Sequence, residues 1–271
     1  MATTEPLGFP TDPAMTTISK RSIAASFTGK QNAHYSVRNG YRVNANTVVA
    51  YNFAERPFAG DLKSAIIDRN EGLIFCRQHT RHLFKQFMKN KILATNFQEE
   101  CRRMLGFHEN HALSFGNVCF MSTWGYEDGK SYDWIGLHCM NDYVMHKNHC
   151  LFVDSSQATI FRIDNIPRGF SNRLAEVVTH NRLTESFLCD LLAERGLRVN
   201  KHSLLYEERF VRVDELHEAT KRYTAHNLME HVRGANLEVY GKRFARENGV
   251  VWSRDCHLLA RQAVLRRRVF K

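Results

Sequence analysis

Acidic residues are scarce in this chain of 271 residues when they are compared with the basic ones. There are 28 Asp and Glu against 38 Lys and Arg, which gives a formal net charge of +10 and a pI near 9.4. An excess of this size favours a polyanion, such as nucleic acid or an acidic surface, as the partner. The hydrophobic content of 43% is ordinary for a soluble globular protein.

The signals of membrane insertion, secretion and disulfide bonding are missing. No apolar run approaches the length that a bilayer span requires. Pro6, Pro10 and Pro13 interrupt the N-terminal region, whose first apolar run is short, so we expect no signal peptide. The seven cysteines are odd in number and scattered, unlike a disulfide framework. These absences predict a reduced, cytoplasmic protein.

Motifs of common catalytic sites are missing too. The chain has no Gly-x-Ser-x-Gly, no cysteine in a recognisable nucleophile motif, and no phosphate-binding loop. Acids are dispersed, and Asp133, Asp142 and Asp154 are the only nearby set. We therefore expect no enzymatic activity, no catalytic residue and no cofactor. An enzyme of unknown reaction that uses a Cys/His site is kept as an alternative.

The densest group of metal-ligating residue types is His138-Cys139, His146 and His149-Cys150. Zinc takes Cys and His ligands in a tetrahedral arrangement. No Cys-x-x-Cys or regular His pair occurs here, and neighbouring residues of a strand point to opposite faces. The pattern predicts packed cysteines and exposed histidines, with no metal.

Residues 112–163 are the part of the chain richest in aromatic and β-branched residues interrupted by turn residues. The loops at 125–130 and 154–157 are of the hairpin type. This stretch predicts a small antiparallel sheet with helical material before and after it. Its strand-sized apolar runs are 117–121, 132–137, 150–153 and 159–163, and earlier strands are expected within 41–53 and 62–68.

Helical spacing of apolar residues and capping residues predict the helices. The expected helices are 71–91, 96–105, 170–178, 184–196 and 214–231. The fold class is therefore α+β, with a central antiparallel sheet flanked by helices and a helical, basic C-terminal region. The expected division is a flexible N-terminal tail at 1–33, an α+β core domain at 34–182 and the helical basic region at 183–271.

Two basic zones are the expected contacts to nucleic acid, since Lys and Arg on rigid elements bind phosphates or enter a narrow A·T minor groove. One covers 77–103, and no acid occurs between Glu71 and Gln98. The other covers 242–271. The predicted contacts are Arg77, Arg81, Lys85, Arg102, Arg103, Lys242, Arg243, Arg266, Arg267 and Arg268. Five aromatic residues could stack on bases, but such residues more often build the core of a sheet, and we expect them there. They are Trp124, Tyr126, Tyr132, Trp134 and Tyr143.

The order of several short motifs over residues 41–182 resembles the ComK family of competence transcription factors. These motifs are a Tyr-x-Val-Asn-x-x-Thr segment, a Cys-Arg pair, an aromatic strand ending in Thr, a Trp-Ile strand and a Phe-x-Asn-x-Leu helix. In this chain they are Tyr41, Val43, Asn44 and Thr47; Cys76-Arg77; Phe120 and Thr123; Trp134-Ile135; and Phe170, Asn172 and Leu174. The chain departs from the family in a longer insert at 78–105 and in about ninety additional C-terminal residues.

The resemblance implies a DNA-binding transcription regulator of competence that recognises A/T-rich double-stranded DNA largely through the minor groove. It also implies a homo-oligomer, and control by regulated proteolysis, which requires a regulatory protein partner. The charge leads independently to a polyanion such as DNA, and the lack of a long apolar run leads to no membrane partner. The alternative from a different class is a protein-binding module or inhibitor from a mobile element or phage.

Overall fold

The computed structural model of this chain describes most of the first 194 residues and one long C-terminal helix. The described residues are 16–28, 35–57, 61–89, 95–107, 112–124, 131–156, 158–194, 196–197, 225–249, 251–253, 255–256 and 258–259. Helices and β-strands are both present in quantity, and most of the strand pairs are antiparallel, so the α+β class is confirmed.

Eleven strands are formed by the described residues. They are β1 (Thr16–Ile18), β2 (Tyr35–Val37), β3 (Thr47–Asn52), β4 (Ser64–Asp68), β5 (Gly72–Cys76), β6 (Ala112–Ser114), β7 (Cys119–Ser122), β8 (Trp134–Gly136), β9 (Met140–Met145), β10 (His149–Asp154) and β11 (Thr159–Asp164). The helices are α1 (Lys20–Thr28), α2 (Thr80–Lys89), α3 (Thr95–Met104), α4 (Phe170–Ala193) and α5 (Ala225–Glu247).

The strands form two sheets rather than one. The seven-stranded sheet has the order β2-β5-β4-β3-β8-β7-β6, and the four-stranded sheet has the order β1-β11-β10-β9. All pairs are antiparallel except β2 with β5 and β1 with β11. The stretch 112–163 is therefore divided: its first three strands join the larger sheet and its last three join the smaller one. Pairing between distant strands decides this division, and no local pattern encodes it.

Apolar residues cover both faces of the larger sheet. One face packs against the smaller sheet and the start of α4 through residues such as Tyr51, Phe152 and Phe170. The other face packs against α2 through Phe84 and Trp134, among others. A third apolar cluster joins α3, α4 and α5. The basic helix α2 is thus fixed on the larger sheet by its own apolar face.

The predicted helix at 71–91 is wrong in its first half, because β5 occupies Gly72–Cys76 and only α2 is helical. The carboxylate of Asp68 accepts hydrogen bonds from the backbone N–H groups of Asn70 and Glu71, and Gly72 has φ +74°. The chain therefore turns directly into β5. Ile74, Phe75 and Cys76 are consecutive and buried because both faces of the sheet are covered. Such a continuous apolar run does not reveal whether it is strand or helix.

The helices predicted at 170–178 and 184–196 form one continuous helix, α4. Thr184, the expected N-cap, lies inside it and its hydroxyl donates a hydrogen bond of 3.0 Å to the carbonyl of His180. Helix α5 likewise continues through Gly234, the expected end of the predicted 214–231 helix. The polar residues that suggested helix ends are interior because α4 packs against α3, α5 and β6.

Residues 16–28 fall within the predicted flexible tail, and they form β1 and α1. Strand β1 pairs with β11, and Ile23 of α1 is buried in the core between the sheets. The expected boundary at 182 falls inside α4. Across the ranges that the structure describes, none of the helices has both the length and the apolar content needed to cross a membrane.

Candidate nucleic-acid interface

Helix α2 separates an apolar face from a basic one. The Phe84 ring stacks on Trp134 of β8, with centroids 4.1 Å apart and planes 10° from parallel, and it meets Phe120 edge-on at 5.1 Å. The Thr80 hydroxyl at the helix N-terminus donates a 2.7 Å hydrogen bond to the carbonyl of Tyr132. These contacts fix the helix rotation, so its exposed side is occupied by Arg81, His82, Lys85, Gln86 and Lys89.

A cleft of about 1240 Å³ lies beside this basic face. It is larger than the roughly 300–1,000 Å³ of pockets for small ligands, so it has room for part of a polymer. Its walls come from α1, the end of β3, the N-terminal half of α2, the segments on either side of 125–130, and the end of β11. These segments are far apart in the sequence and are brought together by the larger sheet.

Lysine, arginine and histidine side chains are the main potential anion contacts in the cleft. They come from three separate segments, and they are Lys20, Arg21, Arg56, His79, Arg81, His82 and Lys85. The pKa of His79 is lowered, mainly by partial loss of hydration and to a smaller extent by the nearby Lys63 and His82 side chains. The cleft is therefore an electropositive surface into which an anion is attracted.

Two of the cleft's acids are already engaged within the protein. Asp133 is only 6% exposed, and its Oδ1 lies 2.7 Å from Lys20 Nζ and accepts a 2.7 Å hydrogen bond from the backbone N–H of Asn52. Asp164 accepts a 2.7 Å hydrogen bond from Arg162 Nε. Burial raises the pKa of Asp133, and Lys20 opposes this. Lys20 thus fixes α1 against the cleft floor, while Glu55 is exposed.

The predicted basic contacts do not all come together. Of the predicted residues that the structure describes, Arg81 and Lys85 line the cleft, one turn of α2 apart. Arg77 lies in the bend before α2, and its Nε is 2.5 Å from Asp61 Oδ2. Arg102 and Arg103 lie on α3 outside the cleft, and Arg103 pairs with Glu100 at 3.1 Å.

The C-terminal part of the predicted interface is separate from the cleft. Lys242 and Arg243 lie on α5, where they pair with Glu238 at 2.5 Å and Glu247 at 2.8 Å. Helix α5 contains four Lys and Arg and three Glu, so it is nearly balanced in charge, unlike the basic helix expected here. Arg266, Arg267 and Arg268 lie outside the described residues.

Sequence reasoning did not select Lys20, Arg21 and Arg56 as contacts, although they line the cleft. Lys20 and Arg21 are only an isolated pair and Arg56 follows Glu55, so charge density along the chain gives little signal for them. The aromatic side chains divide between core and cleft. Trp134 is buried beneath α2, whereas Trp124 is 42% exposed at the cleft and lies near Tyr132, with ring centroids 6.4 Å apart.

The His/Cys-rich segment has a structural role in the part of the chain described. His138 Nε2 and Nδ1 lie 2.9 Å from the carbonyl oxygens of Ala45 and Cys119, so this ring links β7 to the loop before β3. The His146 and His149 rings stack on each other across the β9–β10 turn. Among the described residues no group of three or more His, Cys, Asp or Glu is arranged to hold a metal ion.

Burial also makes the core cysteines poor nucleophiles. It raises the pKa of Cys76 and of Cys139 to about 11, and it raises the pKa of Cys101, Cys119 and Cys150 further. The thiolate is the reactive form of cysteine, so these five thiols are inert at neutral pH.

The residues that carry the resemblance to the ComK family are mostly structural. Tyr41 Oη donates a 2.7 Å hydrogen bond to Asp68 and lies 2.6 Å from the Thr47 hydroxyl, while Trp134 and Phe170 are buried in the core. Apart from Thr123, which lines the cleft, they bear on the fold. Comparison of the chain with protein families, curated proteins and solved structures found no match.

Proposed function

We propose that this protein binds double-stranded DNA through the cleft and the adjoining basic face of α2. The observation that carries the proposal is the convergence of cationic side chains from α1, the loop after β3 and α2 on one cleft, where Asp133 is buried against Lys20 and Asp164 accepts from Arg162. Phosphates require such clusters of Lys and Arg on rigid elements. The net charge of +10 acts in the same direction over longer distances.

Transcription regulation is the biological role that fits a DNA-binding protein resembling the ComK family. On this proposal the protein works in the cytoplasm and prefers A/T-rich duplex, whose narrow minor groove attracts arginine side chains. Arg21, Arg56 and Arg81 are the arginines that line the cleft, and Lys85 supplies a phosphate contact. Oligomerisation and control by a regulatory protein partner belong to the same proposal.

Fluorescence anisotropy with A/T-rich and G/C-rich duplexes across a salt series tests the proposal. We expect affinity to fall steeply with salt, and the double variant Arg81→Ala/Lys85→Ala to lower the slope of log affinity against log salt by about two, one for each lost phosphate contact. The matched control Lys147→Ala/Arg168→Ala removes two exposed charges outside the cleft and should leave the slope nearly unchanged.

Equal effects of the two double variants would show that net charge, not the cleft, is responsible. Absence of duplex binding at low salt would overturn the proposal and favour the protein-binding module. In that case, one stoichiometric protein partner should remain bound after nuclease treatment.

A further inference from the structure

Trp124 is unusual because a large aromatic side chain is exposed inside a cationic cleft. It follows β7, is 42% exposed and lies near Tyr132, with ring planes 27° from parallel. The guanidinium of Arg173 on α4 lies 5.7 Å from the centroid of the indole. Trp134, only ten residues later, is buried in the core. Trp124 therefore packs only partly, against Tyr132 and Arg173, and a large share of the indole stays open to the cleft.

An exposed indole face among cations can stack on a base, which a phosphate contact cannot do. Every base has a π-face, and stacking on an aromatic side chain is tolerant of sequence. Within a paired duplex, however, the faces of the bases are covered by their neighbours and only their edges reach the grooves. Trp124 can accept a base only if that base has left the stack or belongs to a single strand.

The basic residues that line the cleft together with Trp124 can hold the strand from which such a base comes. Arg81 and Lys85 lie on the same cleft, and Arg56 reaches it from the loop after β3. A strand whose phosphates lie on α2 would thus occupy the same cleft as the indole.

We propose that the cleft holds an unstacked base against Trp124 while Arg81 and Lys85 bind the phosphates of the same strand. This inference rests on the proposed function, because both use the same cations, and it adds a preference for single-stranded or locally opened DNA over fully paired DNA. The ligand is recognised by its base face and its backbone charge.

Three DNAs of equal length test this preference: a paired duplex, the same duplex with a two-nucleotide bulge, and a single strand of thymidines. We expect Trp124→Ala to weaken binding of the bulged duplex and the single strand about tenfold more than binding of the paired duplex. Trp124→Phe, which keeps a ring, should retain most of the affinity. The control Tyr240→Ala removes an exposed aromatic side chain of α5 outside the cleft and should affect none of the three.

Tryptophan fluorescence gives a second measurement that does not depend on the alanine variant being folded. Adding the thymidine strand to the unaltered protein should quench the emission, and Trp124→Phe should remove that quenching. If duplex binding is present but Trp124→Ala weakens all DNAs equally, or quenching persists in Trp124→Phe, the base site is overturned while the proposed function stands. If Arg81→Ala/Lys85→Ala leaves binding of every DNA unchanged, the proposed function itself fails.

Discussion

At the residue scale, the partner of a basic side chain decides whether it is available to a phosphate. Lys242 and Arg243 are held by glutamates four residues away on the same helix, and Arg77 is held by Asp61. Each such exposed pair contributes only about 0–1 kcal/mol, but a phosphate that binds one of these cations must compete with the carboxylate already there. Lys85 lines a cleft whose buried acid already binds Lys20. The strongest phosphate contacts are therefore expected on α2 and not on α5.

His180 predicts a pH dependence of stability. Burial inside α4, followed by the positive charge of Arg102, lowers the pKa of His180 from its usual 6.5 to about 4. Between these pH values the unfolded chain binds a proton that the folded protein does not, so the free energy of unfolding falls as the pH is lowered. Urea unfolding of the native protein should show a loss of about 2 kcal/mol between pH 7 and pH 5 from this residue.

The variant His180→Gln isolates this contribution because glutamine does not titrate. The difference in unfolding free energy between the native protein and the variant should shrink by that amount on going from pH 7 to pH 5. Parallel losses in the two proteins would contradict the assignment to His180.

At the scale of elements, a short strand between two others leaves little room for side chains. Gly136 ends β8 where the chain passes close to the start of β3. A Cβ atom at this position would come within 2.7 Å of the carbonyl oxygen of Thr47 and 3.1 Å of that of Val48. Both neighbours are backbone atoms, so the strands themselves would have to move. The sequence pattern predicted a strand here and gave no reason for the glycine.

Replacing Gly136 by alanine should therefore destabilise the protein by about 1–3 kcal/mol, the usual cost of overpacking. The measurement is the midpoint of urea unfolding. Gly40→Ala is the matched control, because nothing lies within 4 Å of its added Cβ and its turn is exposed. An unchanged midpoint for Gly136→Ala would show that β3 and β8 separate without cost.

At the scale of the whole molecule, the two sheets are joined mainly by apolar packing. The buried hydroxyl of Tyr51 also connects them. Tyr51 of β3 is fully buried, and its Oη lies 3.1 Å from the carbonyl oxygen of Ile18 in β1 and 3.2 Å from that of Arg162 in β11. The hydroxyl thus connects the larger sheet to the smaller one at the point where β1 joins it.

Tyr51→Phe should lower the free energy of unfolding by about 1 kcal/mol, because it removes a buried hydrogen bond and leaves the ring in place. Chemical denaturation measures this change. Tyr240→Phe serves as the control, since the Tyr240 side chain is 67% exposed on α5 and its loss of a hydroxyl should have no effect. Equal stability of Tyr51→Phe and the native protein would mean that this hydroxyl contributes nothing to joining the sheets.

The sequence by itself determined the α+β class, most of the strands between 112 and 163, and the basic character of α2. These features depend on neighbours a few residues apart, through alternation, turn residues and helical spacing. The error at β5 arose because burial on both faces removes the alternation that marks a strand.

Only the tertiary structure decided which strands share a sheet and which cations share a cleft. Lys20 pairs with Asp133, which lies more than a hundred residues later in the chain. Arg56 and Arg81 belong to different elements and line the same cleft. Such contacts depend on the pairing of β3 with β8 and on the packing of α2 against both, and the energy that selects them is spread over the whole core. Charge along the chain therefore predicted the kind of partner, whereas the packing of the sheets determined where that partner is expected to bind.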